Sequence, residues 1–191
     1  MNLLLCSQFS NLKLDEIFRD NFGARIKDIK VLYVPFAGVE QRWIDGHVDK
    51  LADYGIDRKK IEILAYDTPK ENQYDAIFVA GGNNCLLKKG LVESGWWEEI
   101  YKRIKGGVFY IGTSAGGVIC GKDFEFSTRY EDYIDGMNDY SGYGFVDKYI
   151  IVHYQPDNDD YDIRKKIVDE LGNENCLILN NEEFVIIKRK N

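Results

Sequence analysis

Ser114 stands in the string "GTSAG", residues 112–116, directly after the apolar run "VFYI" and before a run of small and apolar residues, "GVIC". The GxSxG spacing has mechanical meaning in that setting. A serine on a sharp strand-to-helix turn exposes its hydroxyl, and the flanking glycines and alanine let backbones cross without Cβ collisions. Helix-start N–H groups then face the same point and can stabilise an oxyanion. The same string also suits a tight structural turn, so the chemistry depends on partners. A serine nucleophile needs a base, and the chain has two histidines. His153 ends the apolar run "KYIIVH", which places it at the same carboxyl edge of the sheet as Ser114. His47 falls inside the helical pattern "RWIDGHVDKL" and reads as a surface or capping residue.

The third member of such a set is a carboxylate that orients the imidazole and stabilises its charged form. Glu182 and Glu183, in the turn between two late strands, offer one arrangement; Glu131, Asp132, Asp135 and Asp139, in an acidic stretch before the histidine, offer the other. The second half of an oxyanion hole is available at Gly81 and Gly82, which follow the apolar run "AIFVA" and precede a helical segment. Glycine there lets a backbone N–H point into a site. The competing local reading is a tight strand-to-helix turn capped by Asn83 or Asn84.

These residues need elements to hold them. Short apolar runs ("NLLLCS", "KVLYVPFA", "KIEILAY", "DAIFVAGG", "VFYIGTSAGG") alternate with segments of helical period ("KLDEIFRDNF", "VEQRWIDGHVDKLADYG", "CLLKKGLVESGWWEEIYKRIKGG"). That is the βαβα rhythm of a mostly parallel sheet with helices on both faces, an α/β doubly wound fold. Ligands bind such sheets beyond the carboxyl ends of the strands. A further helix, "DYDIRKKIVDELG", lies between the histidine strand and the last strands "CLILNN" and "EFVIIKRK". Residues 123–144 lack long periodicity and read either as a substrate-binding excursion or as an acidic surface hairpin.

The 191 residues fit one domain over 1–191, with no repeat or linker to divide them. A net charge of -7 with scattered basic residues argues against a nucleic-acid partner, which requires a clustered positive footprint. Cys6, Cys85, Cys120 and Cys176 form neither a CxxC pair nor a zinc-like spacing, so they read as reduced, buried thiols, with no metal and no cofactor expected. No signal-like leader or membrane-length apolar run is present, and a cytoplasmic location with no membrane partner is the expectation.

Taken together, the motifs resemble peptidase family S51, which contains aspartyl dipeptidase (dipeptidase E) and the cyanophycinases. Those are serine hydrolases on the class I glutamine-amidotransferase-like, flavodoxin-like fold. The pairing of "GGN" at residues 81–83 with "GTSAG" about thirty residues later carries most of the likeness. The resemblance implies Ser114 as nucleophile, His153 as general base, Gly82 and Ala115 as oxyanion donors, and an acid in the turn before the final strand. Glu182 is the closest match for that acid and Glu183 stands one position away. A serine where glutaminases use cysteine disfavours a glutaminase. It further implies a small-peptide substrate, touched by Asn83, Arg129 and Arg164, and allows a homodimer. The segment "DNDDYDIRKKI", where family dipeptidases carry a basic site, is acidic here, which favours a neutral or basic substrate over an aspartyl one.

Overall fold

The computed structural model describes residues 1–131 and 134–188. Five strands run parallel: β1 (Asn2–Cys6), β2 (Val31–Val34), β3 (Ile61–Ile63), β4 (Ala76–Val79) and β5 (Phe109–Thr113). Their order is β3-β2-β4-β5-β1, and β8 (Phe184–Lys188) closes the β1 edge antiparallel. The alternating apolar runs and helical segments thus produce the mostly parallel sheet that they imply.

Strands β1, β2, β4 and β5 are buried at nearly every position because both of their faces are covered. Alternate side chains separate into two cores. Leu3, Leu5, Leu32, Val34, Ile77, Val79 and Tyr110 face helices α3 (Asn84–Glu93), α4 (Trp96–Lys105) and α6 (Tyr161–Leu171), through residues such as Leu87, Trp96 and Ile167. Leu4, Cys6, Val31, Tyr33, Ala76, Phe78 and Ile111 face α1 (Asp15–Phe22) and α2 (Gln41–Asp53), through Phe18 and Leu51. Each fully buried large apolar side chain contributes about 1.5–3 kcal/mol. That layered burial is what makes the strand ends a rigid platform.

Two expectations are corrected. The helical segment 85–107 is two helices, because Gly95 takes a left-handed φ of 71° between α3 and α4. The histidine strand, β6 (Tyr149–Ile151), does not join the main sheet but pairs in parallel with β7 (Cys176–Ile178) in a small sheet of its own. Among the described residues of 123–144, contacts close the stretch on itself and onto α3. An antiparallel bridge joins Asp123 to Ser141, and the buried Lys88 ammonium donates to the Ser141 carbonyl at 2.6 Å and pairs with the Asp139 carboxylate at 2.8 Å. The four cysteines are buried and unpaired, and no helix of the described residues is long and apolar enough to cross a membrane.

Candidate active site

The carboxyl ends of β1, β2, β4 and β5 open onto one cleft. At the end of β5 the chain turns abruptly at Ser114, whose φ of 50° and ψ of -117° lie outside ordinary helix and strand geometry. Such strain persists only where surrounding contacts over-determine it. Here the Ser114 N–H donates to the Cys6 carbonyl at 2.9 Å, and the Ser114 carbonyl accepts from Gly117 and Val118 at 2.8 and 2.9 Å, which starts the short helix α5 (Ala115–Val118). Gly116 is required by close approach: a Cβ would collide with the Val79 carbonyl, while the Tyr110 hydroxyl donates to the Gly116 carbonyl at 2.6 Å.

His153 follows β6 and shares the unusual backbone, with φ 54°. Its N–H donates to Ser7 Oγ at 3.1 Å, and the Ser7 hydroxyl donates to the Leu179 carbonyl at 2.9 Å. Ser7, buried at the end of β1, therefore ties the small sheet to the large one at the point where chemistry is possible. His153 Nε2 lies 2.9 Å from Ser114 Oγ, and His153 Nδ1 lies 2.5 Å from Asn181 Oδ1. An amide oxygen accepts, so Nδ1 carries the proton and Nε2 presents its lone pair to the Ser114 hydroxyl. Burial lowers the imidazole's pKa below the ordinary histidine value; the Asn181 bond opposes this and the positive charge of Arg164 adds to it. The imidazole is then neutral at neutral pH, as a general base must be.

The carboxylate expected at this position, Glu182, is not the group that meets the imidazole. The turn's own hydrogen bonds explain why. Asn180 Oδ1 accepts from the Glu182 N–H at 2.8 Å, the Glu183 carboxylate accepts from the Asn180 N–H at 2.9 Å, and Gln155 Oε1 accepts from the Asn181 N–H at 3.0 Å. Asn181 is thereby aimed inward, while Glu182 and Glu183 are exposed. The other candidate acids lie elsewhere: Glu131 binds the backbone N–H and side-chain amide of Asn84 at 2.8 and 2.7 Å, Asp139 pairs with Lys88, and Asp135 is exposed. Asp132 lies outside the described residues. Burial pushes the Glu131 carboxyl up to about 7.

Gly82 lines the cleft beside Ser114 with φ 125°, where a Cβ would run into the Ala37 carbonyl. Gly81 packs so closely that a Cβ would come within 2.7 Å of Ser114 Cβ. Ala115 opens α5, so its N–H has no intrahelical acceptor. The three expected substrate contacts are not brought to this cleft. Asn83 caps α3, its Oδ1 accepting from the Leu86 N–H at 2.9 Å. Arg129 pairs with Glu170 at 2.6 Å. Arg164 is buried, donates to the Val152 carbonyl at 3.1 Å and stacks 3.9 Å from the Tyr130 ring centroid. It supports the histidine strand from behind.

The cleft, about 430 Å³, is walled by Phe9, Val39 and Trp43, which the sequence did not single out, and by His47. His47 is not a surface residue: it is 7% exposed, its Nδ1 and the Tyr33 hydroxyl share a hydrogen bond at 2.8 Å, and burial drives its pKa down to about 4. The signal for Asn181 was its place in the turn already singled out; the cleft wall had no motif to announce it. Among the described residues no group of three or more His, Cys, Asp or Glu side chains is arranged to hold a metal ion.

The comparisons with known proteins agree with this architecture. Residues 3–191 match the model of peptidase family S51. The uncharacterized peptidase PM1590 of Pasteurella multocida is 26% identical over 204 residues, covering 96% of each chain. Peptidase E of Streptomyces coelicolor is 32% identical over 120 residues, 61% of this chain and 49% of that one. The crystal structure of a Listeria monocytogenes protein assigned as a peptidase E superposes with a TM-score of 0.83 at 25% identity, covering 100% of this chain and 95% of that one. With its sheet, its Ser114 turn and its match over nearly the whole length, the chain belongs to peptidase family S51 and is a peptidase of that type.

Proposed function

We propose that the chain is a serine peptidase that hydrolyses small peptides through an acyl-enzyme on Ser114. The 2.9 Å contact between Ser114 Oγ and His153 Nε2, made at a strained turn facing an open cleft, carries this reading. His153 takes the hydroxyl proton as Ser114 attacks the peptide carbonyl; the N–H groups of Gly82 and Ala115 receive the oxyanion. The imidazolium then protonates the leaving amine, and water, activated by the same base, releases the acyl group. Asn181 positions the ring through its Nδ1 proton and supplies a dipole in place of a full negative charge. A cleft of this size accommodates a dipeptide-sized ligand. The reading includes a cytoplasmic setting, where four unpaired cysteines stay reduced.

The amide on His153 also favours a second reading, a ligand-binding module with little turnover. A fluorophosphonate probe separates the two. An active serine peptidase is labelled at Ser114 and cleaves dipeptides, and Ser114→Ala loses both properties. Hydrolysis that persists undiminished in the Ser114→Ala protein overturns the proposal.

A further inference from the structure

The chemistry of the cleft wall bears on which peptide Ser114 attacks. On the side bounded by α2, Phe9, Val39 and Trp43 form an apolar wall; Trp43 is 44% exposed, and the Arg42 guanidinium, held by Glu40, lies 5.5 Å from its ring centroid. The described residues lining the cleft include no lysine or arginine, and their one carboxylate is Glu40. Glu40 pairs with Arg42 at 3.0 Å on the exposed rim, so its charge is largely compensated there. His47, on the same wall, is neutral at neutral pH because it is buried against Tyr33. On the far side of His153 and Asn181 a second groove shares Gln8 and Asn181 with the cleft, and its charged lining residues are Asp157 and Glu182. Arg129 and Arg164 are engaged with Glu170 and with the Val152 carbonyl.

We propose that this cleft selects an uncharged apolar or aromatic side chain on the residue that supplies the scissile carbonyl, packed against Trp43 and Val39, and discriminates against an aspartyl side chain. The inference rests on the serine-peptidase reading above. A carboxylate entering this space is desolvated with no lysine or arginine on the lining to meet it; Arg42, beside Trp43, is already paired with Glu40, and the acids of the adjoining groove repel it. An aromatic or leucyl side chain replaces water on the exposed indole face instead.

The test compares kcat/KM for a dipeptide series with aspartyl, leucyl, phenylalanyl and lysyl first residues and a constant second residue, alongside fluorophosphonate labelling of Ser114. Leucyl and phenylalanyl substrates are expected to exceed the aspartyl one by about 100-fold, the size of discrimination an unpaired buried charge imposes. Trp43→Ala lowers kcat/KM for the phenylalanyl substrate about tenfold, mainly through KM. Trp43→Arg raises the ratio of aspartyl to leucyl turnover, a change that simple loss of packing does not produce. Aspartyl preference in the labelled enzyme overturns the inference and leaves the serine-peptidase reading standing. Absence of both labelling and hydrolysis overturns that reading and this inference with it.

Discussion

Replacing Asn181 by aspartate alters one oxygen-nitrogen pair in the site and keeps the shape of the turn, because the residue's N–H remains on Gln155 and its inward oxygen remains 2.5 Å from His153 Nδ1. What changes is charge. The imidazolium formed during acylation meets a carboxylate instead of an amide dipole. Two unit charges about 4 Å apart interact by about 4 kcal/mol at an effective dielectric of 20. The 180–183 turn borders solvent, which screens part of this and leaves about 1.5–3 kcal/mol in the transition state, or about 10- to 100-fold in acylation rate. The same charge holds the proton on the imidazole more tightly, so the acidic limb of the kcat/KM profile moves to higher pH while the plateau rises. The assay is dipeptide hydrolysis from pH 4 to 9, with the rate of fluorophosphonate labelling as a second measure of nucleophile activation. Glu182→Gln is the control and leaves both within about twofold, since an exposed carboxylate that does not touch the ring acts only through screened charge. An N181D plateau that falls, or an acidic limb that stays in place, refutes the assignment of Asn181 as the group that orients His153. Loss of activity in Glu182→Gln with no effect of N181D returns the role to the glutamate.

Two other outcomes follow from local geometry. Gly82→Ala forces a side chain into a left-handed position and against the Ala37 carbonyl; labelling is expected to drop at least tenfold and the thermal midpoint to fall, the strain costing about 1–3 kcal/mol. His47 has its pKa lowered in the folded protein to about 4, so between its ordinary value and about 4 the unfolded chain binds a proton that the folded chain refuses. Stability from this residue is therefore present above the ordinary histidine value and is lost as pH falls, by about 3 kcal/mol across the window. Urea unfolding at pH 7 and pH 4 gives a shallower loss for His47→Gln than for the parent, and equal losses contradict the burial argument.

The serine, its base and the glycines around them were readable from the chain because each depends on local order. Residues 112–116 need a strand before them and small residues within them, and both are visible as a string of letters. The alternation of short apolar runs with helical period likewise announced the parallel sheet, since strands covered on both faces must be apolar throughout. What a string cannot contain is the direction in which a turn aims its side chains. Asn181 and Glu182 are neighbours, and backbone hydrogen bonds accepted by Gln155, Asn180 and Glu183 decide which of them faces His153.

The small sheet shows the same limit at larger scale. The apolar run before His153 reads as a strand of the main sheet, yet among the described residues β6 pairs with β7 alone, and Ser7 at the end of β1 connects the two sheets. Local sequence thus decided which groups have the chemistry and which backbone conformations they can adopt. Tertiary packing decided their company: the amide on the histidine, the arginines drawn into ion pairing and backbone support, and the apolar wall of Phe9, Val39 and Trp43. Those contacts join residues far apart in the chain, and only the closing of the two cores onto the sheet brings Asn181 and the apolar wall within reach of Ser114.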